Sequence, residues 1–413
     1  MHNTYPRIVI SGAGCIGPLG LDAVTTWRSM VEGKDGIRPV DWPDDAGVEL
    51  NTSIVAAVQD FDPAARFDSK LLRKLDRVSQ FALTAANEAI TAARVNFVEY
   101  PALASRTAVV VGGANGGEIA RDRGARNLYR DGKAQIDALT VLRVMPNAPA
   151  AHISIQHRIT GPSFTVSSAC SSANHAIAQA VHLLRAGVAD VAIAGGADAS
   201  LSPSFVKAWE AMRILSNDTC RPFSSNRSGL VLGEGAAMFV LERLDHAVRR
   251  NAPILCELAG VGMSSDASDL IAPNAEGPAT ALVRALEDAS WTPEDVDYVN
   301  AHGTGTRAND AMEIDAIRRV FGPDAESLSI SSTKSMHGHL LGAAGAIELV
   351  AAIGAVSDDI VPPTIHLDEL DSACALDVTP NCARRRPIRC ALSNSFAFGG
   401  MNGVVAIKKW VGR

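Results

Sequence analysis

Cys170 stands in the stretch Thr165-Val166-Ser167-Ser168-Ala169-Cys170-Ser171-Ser172-Ala173-Asn174-His175-Ala176-Ile177, where one apolar rhythm gives way to another. Up to Ser168 the pattern is that of a strand's end. From Ser171 onward Ala173, Ile177, Val181 and Leu184 share one side of a helix, with Ser171 and Ser172 suited to its first turn. Cys170 then occupies a strand-to-helix corner, beside backbone N–H groups that lack helical partners and carry partial positive charge. Such a corner favours loss of the thiol proton, which is what a nucleophile needs. Cysteine is also among the most often buried residue types, so an inert packed thiol is the competing account. The small residues on both sides leave room for a ligand at the sulfur.

His302 lies in Asn300-Ala301-His302-Gly303-Thr304-Gly305-Thr306, directly after the strand-like Val296 to Val299. The carboxyl ends of strands are where open α/β sheets bind ligands. His337 and His339 lie in Lys334-Ser335-Met336-His337-Gly338-His339-Leu340-Leu341-Gly342, after the strand-like Leu328 to Ser331 and before an alanine-rich helix. A lone loop histidine is more often a local hydrogen-bonding residue. Two histidines in glycine loops, together with a corner cysteine, match an activated nucleophile and its partners. No metal is expected, because His337 and His339 are only two apart and no thiol or carboxylate is close in sequence. Asn394 to Asn402 reads as a further glycine-rich loop, whose Phe396 and Phe398 either pack in the core or present a backbone N–H to an oxyanion.

The elements that must position these residues alternate between strand and helix, which implies α/β architecture with mainly parallel sheets. One series of elements runs over residues 1–252 and a second over 253–413. Each opens with a strand meeting a Gly-x-Gly turn, Gly12-Ala13-Gly14 and Gly260-Val261-Gly262, which suggests a duplicated unit. Gly12 to Gly17 is a literal GxGxxG. Pro18-Leu19-Gly20 follows at once, and no second strand ends in an acidic residue about twenty positions on, so a glycine-rich turn is preferred to a dinucleotide site. Residues 36–66 read as surface loop with short strands. Lys70, Arg73, Lys74 and Arg77 fall at helical spacing in a long helix expected from Ser69 to about Ala93, either as a solvated face or as a dock for an acidic partner.

Composition narrows the function classes. The chain has 413 residues, 47% apolar and 20% charged, with a formal charge of −7, so it offers no overall basic footprint for nucleic acid. Seven scattered cysteines without a CxxC pair point to reduced thiols in a cytoplasm. The N-terminus has no signal-peptide pattern, and no uninterrupted run of about 18 or more apolar residues suggests a membrane span.

Four motifs in order then resemble a known family. Ser168-Ala169-Cys170-Ser171-Ser172, Asn300 to Thr306, Ser332-Thr333-Lys334-Ser335-Met336 with Gly338-His339, and Asn394 to Asn402 are similar to the signatures of β-ketoacyl-[acyl-carrier-protein] synthases, most of all the elongating synthase II type. The resemblance runs from Arg7 to Lys409 and includes Arg221-Pro222-Phe223 and Gly229 to Gly235. It implies a thiolase-like fold of two similar βα halves in five layers (α-β-α-β-α), usually a homodimer, with no cofactor. It implies that Cys170 takes an acyl chain from an acyl carrier protein while the N–H groups of Cys170 and Phe398 hold the oxyanion. His302 and His339 would then act on malonyl-carrier protein as it loses CO₂, with Lys334, Asp310 and Glu348 organising the charge. Thr304 and Thr306 would line the pantetheine arm, and Phe396 and Phe398 the acyl gate. Lys70, Arg73, Lys74 and Arg213 would meet the acidic carrier protein.

Three positions depart from that pattern. His337 replaces a common threonine and has no role assigned by the resemblance, and Met401 replaces the threonine of a Gly-Gly-Thr-Asn loop. Asn115 stands where the synthase II type carries a bulky apolar residue in the acyl pocket, which leaves specialised branches such as nodulation protein E or polyketide ketosynthases open. Two other readings are a non-catalytic chain-length partner, against which Cys170, His302 and His339 argue, and a degradative thiolase, which would need a second cysteine in a glycine loop.

Overall fold

A computed structural model describes residues 5–42 and 47–412. The start of the chain, on which the signal-peptide expectation partly falls, and residues 43–46 of the expected surface loop lie outside the described residues. Ten strands form the central sheet: β1 (Ile8–Ile16), β2 (Thr107–Gly112), β3 (Ser163–Val166), β4 (Val191–Asp198), β5 (Gly235–Arg243), β6 (Cys256–Ser265), β7 (Tyr298–Asn300), β8 (Ser329–Ser331), β9 (Cys390–Ala397) and β10 (Met401–Lys409). The first five lie in the order β3-β2-β4-β5-β1 and the last five in the order β8-β7-β9-β10-β6, so the second set repeats the first, strand for strand. In each set the first three strands of that order are parallel and the fourth runs antiparallel to both its neighbours. The sets join where Ile8 to Ile10 pair antiparallel with Cys256 to Leu258.

The helices that position the site are α1 (Arg77–Ala92), α2 (Ser172–Arg185), α3 (Pro203–Ala211), α4 (Glu276–Ala289), α5 (Arg307–Phe321), α6 (Lys334–His337) and α7 (Ala344–Asp358). The arrangement is the five-layered thiolase-like one. α1 covers the outer face of the first five strands and α4 that of the last five, while α2 and α7 pack against each other between them. Both central helices follow the third strand of their set, which brings their N-termini to one place in the middle of the molecule.

The duplication reaches individual glycines. A Cβ on Gly12 would lie 2.2 Å from Ala89 O and one on Gly14 would lie 2.1 Å from Ala85 O, both in α1. On Gly260 and Gly262 it would lie 2.6 Å from Ala285 O and 2.0 Å from Ala281 O, both in α4. These glycines are therefore not turns, as their spacing suggests, but interior strand residues that let a helix backbone press onto the sheet. The same contact leaves no room for a pyrophosphate at Gly12 to Gly17, which removes the dinucleotide reading.

Of three other elements, the first meets expectation and two differ from it. The stretch Leu341–Asp358 is apolar enough over 18 residues to match a bilayer, although no uninterrupted apolar run is present. Here it is a core element, and every α7 residue from Ala344 to Val356 is buried. The helix expected from Ser69 breaks after one turn, Ser69–Leu72, because Asp76 accepts from the Val78 N–H and starts α1 afresh. Arg77 consequently leaves the exposed basic group and pairs with Glu234 at 2.6 Å. Most of the loop expected at Asn394 to Asn402 is strand: β9 and β10 pair from Cys390 with Lys408 to Ala397 with Met401, leaving only Phe398, Gly399 (φ +80°) and Gly400 (φ +67°) as the turn.

Candidate active site

Cys170 sits in the short turn Ala169–Ser171 that leads into α2, as the change of rhythm predicts. Ala169, just before it, has φ +50°, a left-handed conformation that non-glycine residues rarely adopt and that sharp functional corners tolerate. The sulfur lies 3.1 Å from His339 Nε2. The His302 and His339 rings stand edge to face with centroids 5.4 Å apart. One atom from each of Cys170, His302 and His339 falls within 4.8 Å of the others, although the first comes from one half of the chain and the other two from the other.

Hydrogen bonds on the far side of each ring fix its tautomer. The Leu341 N–H donates to His339 Nδ1 at 3.2 Å, and the Lys334 ammonium donates to His302 Nδ1 at 3.2 Å. Each neutral ring then carries its proton on Nε2. Burial and the Lys334 charge hold both imidazoles well below the usual histidine range, so they stay neutral. The site thus presents two N–H donors rather than two bases.

The thiol departs from expectation. Burial pushes Cys170 up to about 12, and Lys334 and the Phe398 N–H, which point the other way, do not offset it. The corner supplies hydrogen-bond donors, but burial opposes loss of the thiol proton. Desolvation of an anion in a closed site outweighs the partial charge of a helix end.

Lys334 is fully buried, donating to the His302 carbonyl at 2.6 Å and forming an ion pair with Glu348 on α7. Burial lifts Glu348 to about 7. Asp310 does not join this pair. Its carboxylate accepts from the Phe223 and Gly305 N–H groups at 2.9 and 3.2 Å and faces Arg227 at 3.5 Å, so it shapes the loop beyond His302. The acid that holds His302 itself is Glu313, one turn along α5, which accepts from the His302 and Gly303 N–H groups at 2.8 Å each and from Asn394 at 3.1 Å. Sequence reasoning missed it. An acidic residue facing back toward the loop from the first turns of the following helix is the signal that points to it.

A cavity of about 260 Å³ opens onto Cys170, His302 and His339 and is lined by Thr304, Thr306, Phe396 and Phe398 among others. Thr304 and Thr306 bond each other at 2.9 Å. The cavity also takes in Trp209 and Met212 of α3 and its following turn, and the loop Asp269 to Pro273. Asn115 does not line this cavity. Its amide donates to Ser200 Oγ at 3.2 Å, and Ser200 in turn donates to Asp198. Lys70, Arg73 and Lys74 are exposed together, and Arg213 is exposed beside Met212 at the cavity mouth. His337 is buried, and its ring bridges Gly338 O (2.8 Å) and Thr333 Oγ1 (3.0 Å). Met401 is partly exposed next to the turn at Gly399.

Cysteine and two imidazoles at this separation also match a metal-ligand set in composition. The buried Lys334 ammonium beside His302 opposes a dication there, and charge favours a neutral or anionic organic ligand. Such a ligand would meet a thiol, two imidazole N–H donors and the Phe398 N–H in one cavity.

Comparison with known proteins gives independent results. Residues 6–247 match the family model described as the beta-ketoacyl synthase N-terminal domain and residues 255–368 the corresponding C-terminal domain. The chain is 48% identical over 403 residues to Nodulation protein E of Rhizobium sp. (strain N33), covering 98% of this chain and 99% of that protein. It is 39% identical over 411 residues to 3-oxoacyl-[acyl-carrier-protein] synthase 2 of Coxiella burnetii, covering 98% of each. Among solved structures, the ishigamide ketosynthase/chain length factor superposes with a TM-score of 0.91 at 32% identity, covering 98% of this chain and all of that one. A type II polyketide synthase acyl-carrier protein in complex with its ketosynthase gives 0.89 at 28% identity with the same coverage.

Proposed function

The chain belongs to the β-ketoacyl synthase family, and from this premise we propose how its residues carry out a decarboxylative condensation on acyl-carrier-protein substrates. The enzyme is an acyltransferase that lengthens a fatty-acid or polyketide-like chain. In the first half-reaction the Cys170 sulfur attacks the thioester of an acyl-carrier protein, and the carbonyl oxygen turns toward the Cys170 and Phe398 N–H groups. The carbon–sulfur bond to pantetheine breaks, and the thiol proton ends on the departing pantetheine sulfur. A neutral starting thiol suits this exchange, because no net proton is gained or lost.

In the second half-reaction malonyl-carrier protein enters along Thr304 and Thr306. Its thioester oxygen meets the Nε2–H groups of His302 and His339, which stabilise the enolate left when CO₂ departs. Two neutral donors serve this step better than a carboxylate, because they do not repel the malonyl charge. The enolate carbon attacks the acyl group, a carbon–carbon bond forms, and Cys170 leaves as a thiolate that takes a proton from water. Lys334, held by Glu348, keeps Nδ1 of His302 unprotonated, and Glu313 and Asp310 hold the loop that presents the ring. The observation that carries this division of labour is the 3.1 Å approach of His339 Nε2 to the Cys170 sulfur, with both imidazoles locked in the donor tautomer.

Lys70, Arg73, Lys74 and Arg213 form the dock for the acidic carrier protein, and Phe396 and Phe398 the gate. Asn115 stays outside the cavity at Cys170, bonded to Ser200, and takes no part in that pocket's wall. The protein acts as a homodimer through the open edge of β3, flanked by the exposed Ile155 and Phe164. Division at residue 252 separates the half that supplies the nucleophile from the half that supplies both histidines. Seven free thiols suit a reducing cytoplasm. Reconstitution with acyl- and malonyl-loaded carrier protein tests the assignment. A product two carbons longer, with one CO₂ released per turnover, supports it, and a full panel of acyl groups yielding neither would overturn it.

A further inference from the structure

We propose that His175 is a positioning residue for the oxyanion site, pinning the corner that carries Cys170 to the hairpin that carries Phe398. His175 Nδ1 lies 2.6 Å from Ser168 Oγ, two residues before the nucleophile. Its Nε2 lies 3.0 Å from the carbonyl oxygen of Asn402, four residues after Phe398. A carbonyl only accepts, so Nε2 carries the proton and Nδ1 accepts from the Ser168 hydroxyl. One neutral ring therefore spans two segments more than 220 residues apart in sequence.

The neighbourhood is built around that span. A Cβ on Gly403 would stand 3.2 Å from His175 Cδ2 and 3.4 Å from Nε2, so the glycine makes way for the ring. On the same turn Asn174 Nδ2 donates to the Ser393 and Gly403 carbonyls at 3.1 and 3.0 Å, and Ser171 donates to the Met401 carbonyl. Beyond the ring, the Asn402 amide donates to Asp266 at 2.7 Å, anchoring the far end of the hairpin. Of these links only the His175 ring reaches back to the residues that precede Cys170. Without it the two oxyanion N–H groups, one on each segment, lose their fixed separation while the thiol and its helix remain.

The proposal rests on the assignment of Cys170 as acyl acceptor, and its test separates the two. Full-length wild-type protein, His175→Phe, His175→Gln and Ser168→Ala are compared in single-turnover acyl transfer from acyl-carrier protein and in alkylation of Cys170 by iodoacetamide, a reaction that needs the sulfur but no oxyanion site. His175→Phe should slow acyl transfer by roughly tenfold or more at unchanged KM, while alkylation stays within about twofold of wild type. Glutamine, whose amide can reach the Asn402 carbonyl, should recover part of the loss. Ser168→Ala, which removes one bond and little volume, should show a smaller fall and keeps the test alive if His175→Phe does not fold. Equal loss of both reactions, or unchanged acyl transfer, would overturn the proposal. Acyl groups found on another residue of the wild-type protein would overturn the Cys170 assignment and this role with it.

Discussion

The backbone N–H of Leu341 donates to Nδ1 of His339 at 3.2 Å, and this one bond decides what the histidine can do to Cys170. With Nδ1 occupied as an acceptor, a neutral ring has its proton on Nε2, 3.1 Å from the sulfur. His339 faces the nucleophile as a donor. Lys334 imposes the same tautomer on His302 from 3.2 Å away. In the proposed mechanism both residues serve the step in which negative charge develops on malonyl oxygen, and neither deprotonates the thiol.

Replacement of either histidine should therefore separate the half-reactions. His302→Ala and His339→Ala should each slow release of CO₂ from malonyl-carrier protein by about a hundredfold or more, the scale expected for one lost donor in a closed site. Acylation of Cys170 should persist in both. Labelled CO₂ release and mass measurement of the acyl-enzyme read the two steps separately, and CO₂ release at the wild-type rate in both variants would rule out the donor role.

His337 offers a pH test of stability. Its ring, fully buried, is held down to about 3, mainly by burial and by Lys334. Between that value and the ordinary histidine range the unfolded chain binds a proton that the folded one does not, so stability rises with pH and is lost on acidification. From pH 7 to pH 5 this group should cost about 2 kcal/mol. His337→Thr, which removes the titrating ring, should lose correspondingly less over the same interval when unfolding is followed in urea. An unaltered pH dependence in the variant would show that the ring protonates freely in the native state.

Carrier-protein docking should follow charge. Replacing Lys70, Arg73 and Lys74 with glutamate should raise KM for acyl-carrier protein, steeply at low salt and less at high salt, with little effect on kcat or on a short pantetheine thioester. Equal losses with both substrates would place these side chains in the fold rather than in docking.

Gly14→Ala and Gly262→Ala probe the duplicated helix-on-strand contact. Each new methyl would fall about 2 Å from a helix carbonyl, 2.1 Å at Ala85 and 2.0 Å at Ala281, so each should destabilise the protein by about 3 kcal/mol or more. Thermal unfolding close to wild type in either variant would contradict the packing described here.

Cys170, His302 and His339 were legible because each stands at a change of local rhythm next to glycines, a signal that one short window contains. Gly12 to Gly17 misled for the same reason: the glycines are real, but what they accommodate is a helix more than seventy residues away. Glu313 carried only the weak signal of an acidic residue early in the helix after the His302 loop, and His175 was silent, since its second partner, the Asn402 carbonyl, lies more than 220 residues away. The burial that opposes loss of the Cys170 proton was not legible, because a corner can be read from sequence whereas burial depends on how the two halves close. Asp310 was placed with Lys334 by resemblance, and two of its partners, Phe223 and Arg227, lie in the other half of the chain.

The most direct measurement is mass mapping of the enzyme after brief exposure to acyl-carrier protein, followed by addition of malonyl-carrier protein. The acyl mass should appear on the peptide containing Cys170, vanish within a turnover on addition of the malonyl substrate, and persist under the same addition in His302→Ala. An acyl group on any other residue, or one that malonyl-carrier protein fails to discharge from the wild-type enzyme, would contradict the account.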